Sequence, residues 1–476
     1  MKKKLLTSML LLTAMFLMTA CLKGEDRDVA YYEDTAITSF AVGTLKRTVH
    51  TKTKAGKDST YKAKFNASKY AFYIDQTKRE IYNPDSLPVG VDASKVIATI
   101  VGKSGGAIAL NMKKAGATKD SLVRYVATDS LDFSSPREVR VYSNSGNNYR
   151  AYTVRVNVHK EVPNVFNWTE LTANSSLGSL LGMKAVSLNG KIFVFGDNGT
   201  NTVTYATATS DGNNWALTGM QAFGREAYKN VCVMAAQLYI LDNGALWKSS
   251  NGTDWTQVAV TNIHRLMGAS GNKLYALNAS KMLEVSADGG ITWREESLDD
   301  KSALLPVQDI SLCTLPLKTN SNTSRLILVG NRSATDYAGD TAAAIWGKIE
   351  ETSVGAQVQP WAYYGTVKGG KYRLPRLQGL CVAGYNGGLL AVGGHGIGAD
   401  KTKGFAAVYM SYDAGIVWRA DTAITIPKGF TATATVFALT VDANNHVWMV
   451  CGGSGRIWKG RLTQLGWRKE QNVFKE

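Results

Sequence analysis

Polar and apolar residues alternate along much of the chain, and the alternation changes character near residue 160. Between Ala36 and Lys160 it has a period of two. Arg137-Glu138-Val139-Arg140-Val141-Tyr142 is followed by a Ser145-Gly146-Asn147-Asn148 turn and then by Tyr152-Thr153-Val154-Arg155-Val156-Asn157-Val158. Alternation on both sides of a Gly/Asn turn predicts a β-hairpin with one buried and one wet face. Runs at Ala71–Ile74 and Val96–Val101 predict further strands. A segment of this length made of several short strands fits a β-sandwich over residues 36–160.

From residue 165 onwards short apolar runs come in pairs. Lys184-Ala185-Val186 precedes Ile192-Phe193-Val194-Phe195, and Val231-Cys232-Val233 precedes Leu238-Tyr239-Ile240-Leu241. Leu274–Leu277, Leu326–Val329, Leu389–Val392 and Val447–Val450 hold the place of the second run in later copies. Tryptophans keep the beat at Trp168, Trp215, Trp255, Trp293, Trp361, Trp418 and Trp467, with intervals of 47, 40, 38, 68, 57 and 49 residues. Six intervals with room for four short strands in each predict a six-bladed β-propeller over 165–476. Asn320–Ser324 and Ala334–Thr341 read as loop insertions in the longest interval. Either the strand around Trp168 or the one around Trp467 can close the ring.

Four of the tryptophans follow a compact turn. Ser286, Asp288, Gly290 and Trp293 are spaced S-x-D-x-G-x-x-W, as are Ser411, Asp413, Gly415 and Trp418. Thr209–Trp215 and Ser249–Trp255 are variants one residue shorter. In such a turn a carboxylate can accept backbone N–H bonds, and glycine permits a positive φ.

Composition sharpens this picture. With 45% hydrophobic and 19% charged residues, the chain is not a disordered tail. The net charge of +16 raises the question of a nucleic-acid partner. It divides unevenly: +9 on residues 22–160, +4 on 161–476 and the rest before Cys21. Aromatics do not alternate with the basic residues of the first domain, so its surface does not have the pattern of a nucleic-acid platform. No nucleic-acid partner is expected. Histidines are scattered, and Cys232, Cys313, Cys381 and Cys451 each sit inside an apolar run without metal-ligand spacing. Neither a metal nor a cofactor is expected. Gly393-Gly394-His395-Gly396-Ile397-Gly398 is glycine-rich but follows a strand without opening a helix, and reads as a flexible loop.

The N-terminus carries an address. Lys2, Lys3 and Lys4 precede an apolar run from Leu5 to Met18, then Thr19, Ala20 and Cys21. The run is short for a membrane span and has the order of a secretory signal. Leu17-Met18-Thr19-Ala20-Cys21 resembles a bacterial lipobox, which implies acylation of Cys21 and a membrane anchor. Residues 1–20 are then the signal peptide and 21–35 a tether. Glu25, Asp26 and Asp28 behind the cysteine resemble the surface-export signal of Bacteroidetes lipoproteins. The expected location is the outer membrane, with exposure on the cell surface as an option.

Two further resemblances follow. Asp132–Pro136, the hairpin after it and the Val89–Lys95 turn look like the Ig-like or cadherin-like modules of Bacteroidetes surface lipoproteins, which serve as spacers or platforms. The tryptophan turns match the Asp-box of BNR/kelch-like propellers. Sialidases carry this box, and a sialidase-like glycoside hydrolase is the alternative reading. That chemistry needs converging arginines for a substrate carboxylate. The only string similar to the family's arginine motif, Tyr372-Arg373-Leu374-Pro375, lies in the fifth interval, after three boxes. No catalytic residue is assigned.

Propeller ligands usually meet one mouth of the central channel, where the innermost strands begin. The residues just ahead of those strands are Lys184; Arg225, Glu226, Tyr228 and Lys229; His264 and Arg265; Asp309; and Arg376 and Gln378. A funnel with cationic, acidic and aromatic groups suits a glycan or a protein partner. The expected function is therefore non-catalytic binding by an envelope lipoprotein, with a propeller scaffold or assembly factor as a further option.

Overall fold

The computed structural model describes residues 32–463, apart from 55–56, 114–117, 163–164, 318, 366–369 and 431–435. Cys21, the signal segment and Trp467 lie outside the described residues. The described residues divide into two compact units, 32–162 and 165–463.

The first unit is a β-sandwich. Its larger layer is a six-stranded sheet in the order Tyr73–Asp75, Glu80–Tyr82, Tyr149–Arg155, Arg137–Tyr142, Ile108–Lys113, Asp120–Arg124. Glu80–Tyr82 runs parallel to Tyr149–Arg155, and the other neighbours are antiparallel. The predicted hairpin is there, with Val139 opposite Tyr152 and Tyr142 opposite Tyr149. Val139 and Val141 are buried, while the alternate Glu138 and Arg140 pair with each other on the outside. Ile37–Val42 and Ala98–Gly102 form a second pair of strands, and Phe40, Ile100, Phe133 and Val154 belong to the shared core. A separate hairpin, Thr44–Lys52 with Asp58–Asn66, exposes Lys46 directly opposite Lys64.

The second unit consists of six four-stranded antiparallel sheets, the six blades of a propeller. Their innermost strands are Gly182–Leu188, Val231–Met234, Ile263–Ser270, Gln308–Pro316, Cys381–Tyr385 and Phe437–Val441, each beside the next in a closed ring. The outer strand of the sixth blade is Phe166–Leu171, which pairs from Phe166↔Leu462 to Leu171↔Ile457. This settles the closure that sequence left open. The start of the unit completes its last blade, and Thr463 Oγ1 donates to the Val165 carbonyl beside the seam (3.0 Å).

Apolar pairs alternate with turns because each sheet is covered on both faces by its neighbours. Six separate hydrophobic clusters result, one between each pair of adjacent blades. Each fully buried Leu, Ile or Val in them contributes roughly 1.5–3 kcal/mol.

The tryptophan turns are built from their own atoms. Ser286 Oγ donates to Asp288 Oδ1 (2.7 Å) and accepts from Gly290 N (2.8 Å), and Trp293 Nε1 donates to the Gly290 carbonyl (3.1 Å). Ser411, Asp413, Gly415 and Trp418 repeat the pattern at 2.9 Å for each of the three bonds. The two shorter variants keep the last bond, from Trp215 to Gly212 and from Trp255 to Gly252. Gly290 has φ +100°, and a Cβ there would lie 2.1 Å from Leu246 Cδ2. Only glycine lets this turn press against the preceding blade.

The 68-residue interval before Trp361 contains long strands, Thr323–Asn331 and Ala344–Glu351, and an insertion over 332–343. The strand begins at Thr323, so of the segment 320–324 only 320–322 is loop.

Candidate functional site

The six innermost strands surround a channel of about 1130 Å³. Because each strand starts at the same end of its blade, the residues just before it gather at one mouth. Seven of the ten expected residues line this cavity: Lys184, Glu226, Tyr228, Lys229, Arg265, Asp309 and Gln378.

Lys184 sits on the first innermost strand, and its Nζ donates to the Lys229 carbonyl (3.4 Å). Burial, reinforced by the positive charge of Arg265, pulls its ammonium down to about 8. Tyr228 lies in the short 3₁₀ turn Ala227–Asn230, held by Thr202 Oγ1, which accepts its backbone N–H (3.1 Å). Its hydroxyl comes so near the first strand that a Cβ at Gly182 would lie 2.1 Å from it. Burial first, then the negative charges of Glu226 and Asp197, push this phenol up to about 12. Lys229 pairs with Glu226.

Arg265 enters from the third blade. Burial lowers its affinity for a proton, against the opposing effect of Asp309. Asp309 begins the fourth blade at an irregularity in register, with φ +50°. Aspartate enters the left-handed region more readily than most residues. Asn331 fixes its side chain: Nδ2 donates to Asp309 Oδ2 (2.9 Å) and to the Leu377 carbonyl (2.7 Å). Burial raises the Asp309 carboxyl above its ordinary range, partly offset by that bond. Sequence reasoning did not single out Asn331, since nothing in an Asn closing an apolar strand marks it as the support of a residue 22 positions away.

Three expected residues lie elsewhere. Arg225 is exposed and makes a fork with buried Asp197, Nε to Oδ1 at 3.0 Å and Nη2 to Oδ2 at 2.8 Å. His264 is exposed and does not line the channel. Arg376 is fully buried: Nη1 donates to the Tyr337 carbonyl (2.6 Å) and Nη2 to the Arg332 carbonyl (2.8 Å).

Arg376 thereby ties a long loop of the fourth blade to the rim of the fifth. The glycine run 393–398 joins the same knot, because Gly394 N donates to Gln378 O (2.8 Å) and Gln378 N to His395 O (2.9 Å). This loop is therefore fastened to its neighbours by backbone bonds, in place of the looseness its glycines suggested. Gly396, Ile397 and Gly398 line the channel mouth.

Sandwich and propeller, with a ring of basic and polar groups at one channel mouth, define a two-unit all-β protein. More particularly, the chain belongs to the DUF6242 family: the DUF6242 N-terminal domain matches residues 40–156 and the DUF6242 beta propeller domain matches 162–470. No curated protein matches the chain. Among solved structures it is similar to YCF48 from Cyanidioschyzon merolae (12% identity, covering 62% of this chain and 98% of that one, TM-score 0.32). It is also similar to a carbohydrate-active enzyme of family AA12 from Trichoderma reesei (10% identity, 63% and 97% covered, TM-score 0.37) and to Myxococcus xanthus glutaminyl cyclase (10% identity, 63% and 95% covered, TM-score 0.28).

Proposed function

We propose that this protein is an envelope lipoprotein that binds a glycan or protein partner at the propeller's channel mouth without transforming it. The observation that carries this reading is the gathering of Lys184, Glu226, Tyr228, Lys229, Arg265, Asp309 and Gln378 around one cavity of about 1130 Å³. That volume lies just above the roughly 300–1,000 Å³ of a typical ligand pocket, enough for a sizeable ligand, and its polar groups come from five different blades or their connections. The N-terminal basic run, the apolar segment and Cys21 support lipidation, and the acidic residues behind Cys21 support display at the outer membrane of a Bacteroidetes cell. The sandwich serves as an Ig-like spacer, and the tryptophan turns act as Asp-boxes in a folding role.

A sialidase-like hydrolase has less support. Of Arg225, Arg265, Arg373 and Arg376, only Arg265 lines the channel. Arg225 is held by Asp197, Arg376 by two carbonyls, and Arg373 by the carbonyls of Thr341 and Gly370 (3.0 Å each). Three guanidinium groups therefore do not converge on one carboxylate.

The test is a glycan array probed with the full chain in mild detergent, followed by a turnover assay on every hit. Binding without product supports the reading, and turnover overturns it. Loss of membrane partitioning in Cys21→Ala checks the anchor independently.

A further inference from the structure

Two cations in the channel mouth make no direct ion pair among the described residues. Lys184 Nζ has only the carbonyl of Lys229 at 3.4 Å. Arg265 Nε is buried with no hydrogen-bond partner. Neither side chain has a carboxylate oxygen within 4 Å among the described residues. Asp309 and Glu226 act on Arg265 through space without touching it, and their own contacts go to other groups: Glu226 pairs with Lys229, and Asp309 accepts from Asn331. Cys232 and Cys381, which also face Lys184, are thiols that burial pushes up to about 12, so they stay neutral. The adjoining strand of the sixth blade, Phe437–Val441, brings no ionisable side chain.

Burying like charges without a contacting counter-charge is unfavourable, and such groups are normally paired directly. Here they stand at the wall of an open cavity, where a ligand can supply the missing partner. A guanidinium offers a two-pronged donor fork matched to a carboxylate or a tetrahedral oxyanion. Tyr228 keeps its proton and can donate a further bond.

We propose that Lys184 and Arg265 form an oxyanion-binding site at the channel mouth, which takes the carboxylate, phosphate or sulfate group of an acidic ligand. This rests on the reading of the mouth as the ligand site and narrows it to a charged class. Binding requires the ammonium form of Lys184, so affinity is full below its value of about 8 and falls as pH rises through it.

The test is calorimetry on the full chain in non-ionic detergent at low salt, with glucuronate, inorganic sulfate and glucose as probes at pH 6.5 and 9.5. At least one of the two anions should bind at pH 6.5 and bind about thirtyfold more weakly at pH 9.5, where only about 3% of a group titrating at about 8 keeps its proton. Lys184→Met and Arg265→Met should each cost about tenfold or more at pH 6.5. Lys184→Arg should bind like the parent and lose the pH dependence; it decides the matter if Lys184→Met does not fold. The stronger of glucuronate and sulfate identifies the ligand group. Absence of binding by both anions, or binding that survives both Met substitutions, would overturn the site. A neutral glycan captured equally well by the parent and by Arg265→Met would also overturn it, yet leave the channel mouth as a ligand site.

Discussion

The indole of Trp361 donates to Glu296 Oε2 at 3.0 Å, across the boundary between the fourth blade and the third. Among the described residues, Trp361 is the one fully buried tryptophan of the series that lacks the Ser-x-Asp-x-Gly turn, and the carboxylate takes over the acceptor role that a glycine carbonyl plays for Trp215, Trp255, Trp293 and Trp418. Glu296 also pairs with Lys348, and both are buried. Its backbone N–H reaches Leu283 O (2.9 Å), and the Trp361 N–H reaches Ser297 O (2.9 Å). The fourth blade, which lacks the turn, is thus fastened to the edge of the preceding one.

Removing that carboxylate should therefore be costly. Glu296→Ala leaves Lys348 buried without a partner and Trp361 without an acceptor, a loss of about 3–5 kcal/mol. Glu296→Gln keeps an acceptor for the indole but not the charge, and should fall between parent and Ala. Urea unfolding of the three proteins checks the order. Equal midpoints for parent and Ala would show that the pair contributes nothing.

Arg376 should behave as a structural cation and not as a ligand contact. Its guanidinium spans the carbonyls of Tyr337 and Arg332, and Arg332 in turn forks to Asp340 (2.8 and 2.6 Å). Arg376→Met removes two charge-assisted bonds, each worth roughly 1.5–3 kcal/mol. The loop over 332–343 should then become the first site of proteolytic cleavage. Arg376→Lys should restore protection only in part, because a mobile ammonium lacks the fixed planar fork with which the guanidinium holds the two carbonyls. Limited proteolysis with mass mapping gives the answer.

The channel thiols should be inert in the folded protein. Burial pushes Cys232, Cys313 and Cys381 up to about 12, and the thiolate is the reactive form. Iodoacetamide at pH 8 should leave all three unmodified in the native state and label them after denaturation. Rapid native labelling at Cys232 or Cys313 would contradict their burial, and at half-buried Cys381 it would contradict the raised thiol.

Much of this fold could be read from the chain because its devices are local. Ser286 to Trp293 makes its bonds within eight residues, so the turn is visible as a string, and the spacing of the tryptophans gives the blade count. The position of the mouth followed from topology alone, since the residue before an innermost strand has one place to go. What stayed hidden depends on distant partners. Arg225 and Arg376 have the residue type of a ligand contact, yet Asp197 in one case and two carbonyls in the other engage them. Asn331, which braces Asp309, and Glu296, which anchors Trp361 from 65 positions away, have no local signature. Ring closure was undecidable for the same reason, because a strand's sequence does not name its neighbour.

The tryptophan turns should also make stability depend on pH in a defined direction. Asp288 is held below the ordinary carboxylate range, first by the Thr292 hydroxyl and backbone N–H, then by Ser286. A carboxyl whose folded value is depressed contributes stability that is complete above its unfolded value, near 4, and is lost as pH falls through the folded one. Asp288→Asn removes the charge and the contribution. Parent and variant should thus differ in Tm by a constant amount above pH 5, with the parent higher, and the gap should close progressively below pH 4. Asp211, depressed chiefly by Asn214 in the shorter turn, should follow the same course in Asp211→Asn. Thermal unfolding of each pair from pH 7 to pH 3 measures it. A gap that widens on acidification would mean that the turn favours the protonated carboxyl, contrary to the bonds observed.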